Sequence, residues 1–139
     1  MLASSWPKDA LPHTKLLGIL DHKTNAPKPE VLIGLLPTPN SYETAAFLTF
    51  GNWNDCPPPE IHVALARAWH QRYGARVVVI THEVVEFEVE RTISTRLEAA
   101  EMAILHHSYC SDIVNQGVGS LEALAAVLLD ARYWYFWWD

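Results

Sequence analysis

The chain has 139 residues, 50% of them hydrophobic and 19% charged, with a formal net charge of −6. That length gives one domain with a core of its own, and the composition excludes wholesale disorder. The ten Lys and Arg residues are scattered singly, which argues against nucleic acid and against anionic membranes as partners.

The start, MLASSWPKDALPH, lacks the basic segment and apolar core of a signal peptide. No apolar run approaches the roughly twenty residues of a membrane-spanning helix. Without a secretion signal, Cys56 and Cys110 are expected as free thiols in a reducing cytoplasm, although their spacing permits a disulfide. Residues 1–12 hold two prolines and Trp6 and read as an irregular arm. HTKLLGILD (13–21) is a short apolar piece, helix or strand by its pattern. HKTNAPKPE (22–30) is a loop. Residues 1–30 thus form an N-terminal arm or extension, and 31–139 a single α+β domain.

VLIGLLP (31–37) is a continuous apolar run closed by proline and predicts a buried strand. Pro39 and Asn40 mark a turn, and Ser41 caps a short helix through about Leu48. GNWNDCPPPE (51–60) cannot continue a helix or pair as a central strand, but proline is tolerated in a first helical turn. Asp55 or Cys56 is placed at the cap of a helix from about Pro58 to Tyr73. Ile61, Leu65, Ala68 and Trp69 form its apolar stripe, and Gly74 stops it.

Residues 76–90 predict an antiparallel hairpin. Val77–Ile80 is one strand and Thr81, His82 and Glu83 turn the chain. Val85, Phe87 and Val89 then alternate with Glu86, Glu88 and Glu90, which period two puts on a wet face. Thr95 and Glu98 fit a capping box opening a helix through about Tyr109, with Leu97, Ala100, Ile104 and Leu105 toward the core. CSDIVNQGVGS breaks the pattern. Ser120 caps a last helix through Asp130, with Leu121, Leu124, Ala125 and Leu128 on its apolar side. YWYFWWD (133–139) reads as a strand, apolar on both faces and therefore central. The fold class is α+β, a mixed or mainly antiparallel sheet packed against helices.

GNWNDCPPP (51–59), YCSDIVNQGVGSLEALA (109–125) and WYFWWD (134–139) together resemble an uncharacterised bacterial family catalogued as domain of unknown function 4253. The likeness covers roughly residues 31–139. Where many relatives have proline after the YC pair, this chain has Ser111. The resemblance implies a bacterial, mostly cytoplasmic protein and carries no activity with it.

Each candidate site competes with a purely structural role. In the tail, Tyr133, Tyr135 and Trp137 face one way and Trp134, Phe136 and Trp138 the other. Helices and the N-terminal arm cover the two faces, or one face stays open to a partner. Asp139, with its carboxylates, caps a helix or pairs with an arginine. A cysteine at a helix N-terminus is activated by the dipole, which makes Cys56, with Asp55 and a histidine, the best enzymatic centre. The structural alternative is a shaped loop with an inert thiol. His106 and Cys110 share a helix face, and His62 and His70 are a weak second pair, but the four-ligand pattern of a closed metal site is not met. Gly117 and Gly119 bring amides together as in anion sites, without the lysine of a P-loop. The Glu86, Glu88 and Glu90 stripe is a solvated strand face or an acidic docking surface.

No complete catalytic constellation and no cofactor or metal pattern emerges. The sequence is read as a small cytoplasmic protein-binding module, immunity- or inhibitor-like in one version because an acidic domain suits a basic partner. Its candidate surface comprises Trp53, Asn54, Asp55, Cys56, Tyr109, Asp112, Gln116, Trp134, Trp137, Trp138 and Asp139. The alternatives are the cysteine-centred enzyme and a homo-oligomer sealed by the aromatic strand.

Overall fold

The computed structural model describes residues 6–139; the first five residues of the expected arm lie outside the described residues. After the arm, a 3-10 turn (Ser41–Glu43) leads into the short α1 (Thr44–Phe47). Then follow α2 (Pro59–Tyr73), β1 (Arg76–Ile80), β2 (Val84–Glu88), α3 (Arg96–Tyr109), a π-helical turn (Ile113–Val118), α4 (Leu121–Leu128) and β3 (Tyr133–Trp137). The strands form one antiparallel sheet in the order β1-β2-β3. The fold is α+β, as the sequence indicates.

Local chemistry explains several boundaries. The Thr95 side chain accepts from the Glu98 amide and opens α3, and Ser120 does the same for α4 through Ala123. Gly74 adopts φ 62° and ends α2, a conformation that costs glycine little. The hairpin turns at residues 81–83 as expected, with Val84 paired to Trp137 and Phe87 to Trp134 on the far side of β2.

One face of the sheet carries Val85, Phe87, Trp134, Phe136 and Trp138, all buried. Helices α2 and α3 cover it. Trp69 of α2 lies parallel to Phe136, with ring centroids 5.5 Å apart and planes 4° apart. It meets Phe87, Tyr109 and Trp134 edge-on. Each such ring buries about 150–250 Å², and edge-to-face pairs add to that burial.

The N-terminal arm crosses the other face. The Leu17 and Gly18 amides donate to the two carboxylate oxygens of Glu86 at 2.7 and 2.8 Å, and His13 packs on Tyr135. Glu86 is therefore buried, and the expected wet acidic stripe is broken in its middle. Glu88 pairs with Arg76, leaving Glu90 exposed. Burial raises the Glu86 pKa, and the two amides and Lys28 draw it back.

Other expectations are corrected. Residues 31–37 form no strand; Leu32, Ile33 and Leu35 are 95%, 92% and 94% exposed. An apolar run becomes a strand only if a neighbour pairs with it, and β1 beside it is irregular between Val77 and Val79. Among the described residues the sheet consequently has three strands, and β3 lies at its edge rather than its centre. Residues 13–21 form neither helix nor strand, only bends and an isolated bridge from Leu20 to Pro27.

Asn40, not Ser41, precedes the first helical turn, and no side chain caps it. The cap position of α2 is Pro58, not Asp55 or Cys56, because the three prolines hold the chain extended before the helix. The buried stripe of α2 is His62, Ala66, Trp69 and Tyr73, while Ile61 and Ala68 are exposed. On α3 the buried residues include Ala99, Ala100, Met102, Ala103, His106 and Tyr109, and Leu97, Ile104 and Leu105 face outward. Alanines let α4 approach closely, while His106 and Tyr109 complete the aromatic layer. Helix α4 ends at Leu128, before Asp130, which takes a left-handed φ of 57°.

A β-carbon at Gly18 would lie 2.8 Å from Val79 Cγ1 and 2.9 Å from Glu86 Oε2. Gly18→Val is expected to lift the arm from the sheet, lower stability by about 1–3 kcal/mol and expose the Leu17 and Gly18 amides to hydrogen exchange. Unchanged protection of those amides in the variant would refute the clamp.

Candidate functional site

The loop before α2 owes its shape to residues that tolerate left-handed backbone. Gly51, Asn52 and Asn54 have φ of 106°, 70° and 43°, and Gly and Asn enter this region at least cost. The Cys56 amide closes a turn on the Trp53 carbonyl at 2.8 Å. A β-carbon at Gly51 would sit 2.0 Å from the Pro57 oxygen and 2.7 Å from His62 Nε2, so only glycine fits there. The result directs the Cys56 thiol inward, to 3.5 Å from His62 Nε2. On the other side of the ring, His62 Nδ1 meets the Tyr109 hydroxyl.

This buried chain joins the loop, α2 and α3. It also answers which histidine accompanies Cys56, since His62 stands one turn into the helix that follows the loop. Asp55 takes no part; it is exposed and makes no side-chain hydrogen bond or ion pair among the described residues. Trp53 is half-buried and meets Phe50 edge-on.

The neighbouring surface brings together three further expected residues with Asn54. The Asn54 side-chain amide donates to the Asp139 carbonyl at 2.8 Å, and the Asp139 amide donates to Asp112 Oδ2 at 3.0 Å. Gln116 Nε2 donates to Asp112 Oδ1 at 3.0 Å. Asp112 thus ties the π-helical turn to the end of β3 and caps no helix with its side chain. Asp139 makes no ion pair with an arginine among the described residues. The Cys110 thiol donates to the Trp137 carbonyl at 2.9 Å. Trp138 packs edge-on against His62 and Tyr109, whereas Trp134 lies apart, against Trp69 and Tyr73.

Electrostatics decides what the Cys56–His62 contact can do. Burial, aided by the nearby Cys110, pushes the Cys56 thiol up to about 12, and the Asn52 amide offsets little of this. Burial brings His62 down to about 4 despite the Pro57 carbonyl. Cys110 is likewise pushed up to about 12, first by burial. A nucleophilic cysteine requires a thiolate beside a cationic or dipolar partner; here thiol and imidazole are both neutral. His106, weighed with Cys110 as a metal pair, lies in the core at 1% exposure. It is buried among Trp69, Trp134 and Phe136, and no group of three or more His, Cys, Asp or Glu among the described residues is arranged to hold a metal.

A different surface stands open. A groove of about 580 Å³ runs between residues 28–36 and β1, bounded by Val31, Leu32 and Ile33 on one side and Val77–Thr81 on the other. The outer edge of β1 makes no backbone hydrogen bond among the described residues beyond its ladder to β2. Sequence reasoning missed this surface because the same apolar residues look like core. The flanking Pro29, Pro37 and Pro39 were the available signal that the run is isolated.

Two outcomes follow from the buried groups. In the native protein, iodoacetamide is expected to alkylate Cys56 and Cys110 no faster than the chain unfolds, with acceleration across the urea transition; fast alkylation of native protein at pH 7 would establish an activated thiol. The unfolded chain protonates His62 and His106 near 6.5, the folded chain only near 4 and near 3. Their contribution is complete above pH 6.5 and is withdrawn as pH falls toward those folded values, about 3 kcal/mol for His62 and about 5 kcal/mol for His106. Glu86, raised in the folded state, acts in the opposite sense. Urea midpoints from pH 7.5 to 4 for wild type and His106→Phe isolate the histidine contribution, and identical slopes would contradict it.

No curated protein and no solved structure matches the chain. The profile of a family described as "Domain of unknown function (DUF4253)" matches residues 32–139, which contain the GNWNDCPPP loop, the π-helical turn and the aromatic strand. The chain belongs to this family.

Proposed function

We propose that the chain is a protein-binding module that receives an extended apolar segment of another protein along the outer edge of β1. The observation that carries this reading is the exposure of Val31, Leu32, Ile33 and Leu35 beside a strand edge with no pairing partner among the described residues. Exposed apolar patches on small domains mark interaction sites, and an added strand supplies backbone hydrogen bonds while neighbouring side chains select its residues. The net charge of −6 favours a segment flanked by basic residues, which is the inhibitor- or immunity-like version. The contact surface moves accordingly to the groove from the aromatic tail, where Trp134, Phe136 and Trp138 are buried, and from the glutamate stripe, which is broken at the buried Glu86. The two unlinked buried thiols and the family resemblance support work in a bacterial cytoplasm.

A second copy of the chain is the competing occupant, since VLIGL has strand-forming residues of its own. Panning a library of ten-residue peptides tests the reading. Peptides with alternating apolar residues and flanking Lys or Arg are expected to be enriched, and Leu32→Asp with Ile33→Asp, at exposed positions, to weaken them tenfold or more. A wild-type dimer that the double variant dissociates would favour the second copy. Failure of wild type to bind peptides and to self-associate would overturn both.

A further inference from the structure

The arm is folded on itself as well as onto the sheet. In DHKTNAPK (21–28), Asp21 Oδ1 accepts from the Lys23 and Thr24 amides at 2.9 Å, as a short acidic side chain does at a turn. The Lys28 amide donates to the Ile19 carbonyl at 2.9 Å, and Lys28 Nζ donates to the Gly18 carbonyl at 2.7 Å. Residues 18–28 thus close a loop of their own, and among the described residues they add no strand to the sheet. The arm's ties to the domain include the Leu17 and Gly18 amides on Glu86, Gly18 fitted against Val79, His13 on Tyr135 and Trp6 beneath the Arg96 guanidinium.

The stretch that joins arm to domain is held by little. Residues 29–35 are exposed throughout and make no hydrogen bond among the described residues. Extended, a stretch of this length reaches roughly 24 Å. The arm lies outside the region that the family profile matches, 32–139, while its seat at Val79, Glu86 and Tyr135 lies inside. Detachment returns Glu86 and two backbone amides to water, which hydrates all three. The seat reads the arm's backbone and the missing side chain at residue 18, so the arm of a second copy meets the same carboxylate oxygens and the same Val79. Exchange of an identical element is a low-cost route to a twofold dimer. In a reciprocal exchange the two hinges cross between the partners, and the exposed Leu32, Ile33 and Leu35 gain apolar neighbours.

We propose that the sheet face around Glu86 and Tyr135 is an interaction surface for a second copy of this chain, which seats its arm there in place of the resident one. Each copy then supplies the Leu17 and Gly18 amides that satisfy its partner's carboxylate. The inference does not rest on the β1-edge reading. It concerns the arm's seat on the face of the sheet, so either proposal stands if the other fails.

Two variants of the full chain test it. Gly18→Val keeps the seat but cannot place its arm; Glu86→Leu keeps the arm but has no carboxylate to receive it. Only a mixture holds a sound arm and a sound seat, on different chains. In isotope-labelled Glu86→Leu alone, the Leu17 and Gly18 amides are expected to exchange freely with solvent. Unlabelled Gly18→Val, added to about 1 mM, the effective concentration a short linker gives the resident arm, is expected to slow that exchange about tenfold and to yield a dimer by light scattering. Unlabelled Glu86→Leu added in its place is expected to leave it unchanged. Unslowed exchange in the mixture of two folded variants would overturn the proposal. Should either variant fail to fold, half-labelled wild type refolded from urea at about the same concentration decides instead. Its dimer is expected to show magnetisation transfer from Gly18 of one chain to Val79 of the other. A wholly monomeric product, or transfer confined within single chains, would overturn the exchange.

Discussion

Trp69 is the contact on which the rest of the structure rests. Its ring lies flat on Phe136 and takes the edges of Phe87, Tyr109 and Trp134, so one side chain of α2 fixes both strands β2 and β3 and the helix α3. Helical spacing then carries the consequence backward along α2. His62, seven residues earlier on the same buried stripe, arrives against Trp138 and Tyr109, and the loop carrying Gly51 and Cys56 must fold around it. The tryptophans at positions 134 and 138 belong to the same layer, whereas Trp137 faces the other side of β3. Trp134, Phe136 and Trp138 are 1%, 0% and 1% exposed and form the sheet's half of the core.

The elements whose signals are local were legible in the sequence. The Val85–Phe87–Val89 alternation, the Thr95 and Ser120 caps and the Gly74 stop each depend on a few adjacent residues and on backbone chemistry. The signals that failed depend on what lies across space. VLIGLL has the composition of a core strand, but composition does not say whether a neighbouring edge will accept it. The glutamates were correctly placed on one face, yet the arm that satisfies Glu86 comes from 68 residues away. On α3 the large aliphatics point outward because the sheet facing it is already filled by rings, leaving room for alanines and for His106.

The candidate site was legible in parts for a similar reason. Asn54, Asp112, Gln116 and Asp139 were singled out separately, and hydrogen bonds unite them at the end of β3. Cys56 was singled out for a helix dipole it does not feel, because proline carries the chain three residues further before the helix begins. Its partner His62 lies within the following turn, but burial of the pair leaves a neutral network that ties loop to helices. The groove beside β1 stands open to solvent, whereas both thiols are buried.

The exposed run also has a bearing on how the protein behaves when concentrated or freshly synthesised. VLIGLL is uncharged, free of proline and rich in strand-forming residues, the composition that stacks into cross-β aggregates. It is bracketed by Pro29 and Glu30 on one side and by Pro37 and Pro39 on the other. Proline cannot donate to a growing ladder, and stacked glutamates repel, so these residues act as gatekeepers that confine the sticky length to six residues. The flanks thus shorten the stretch that can template a fibril, a task given to four exposed residues that contribute little to the core.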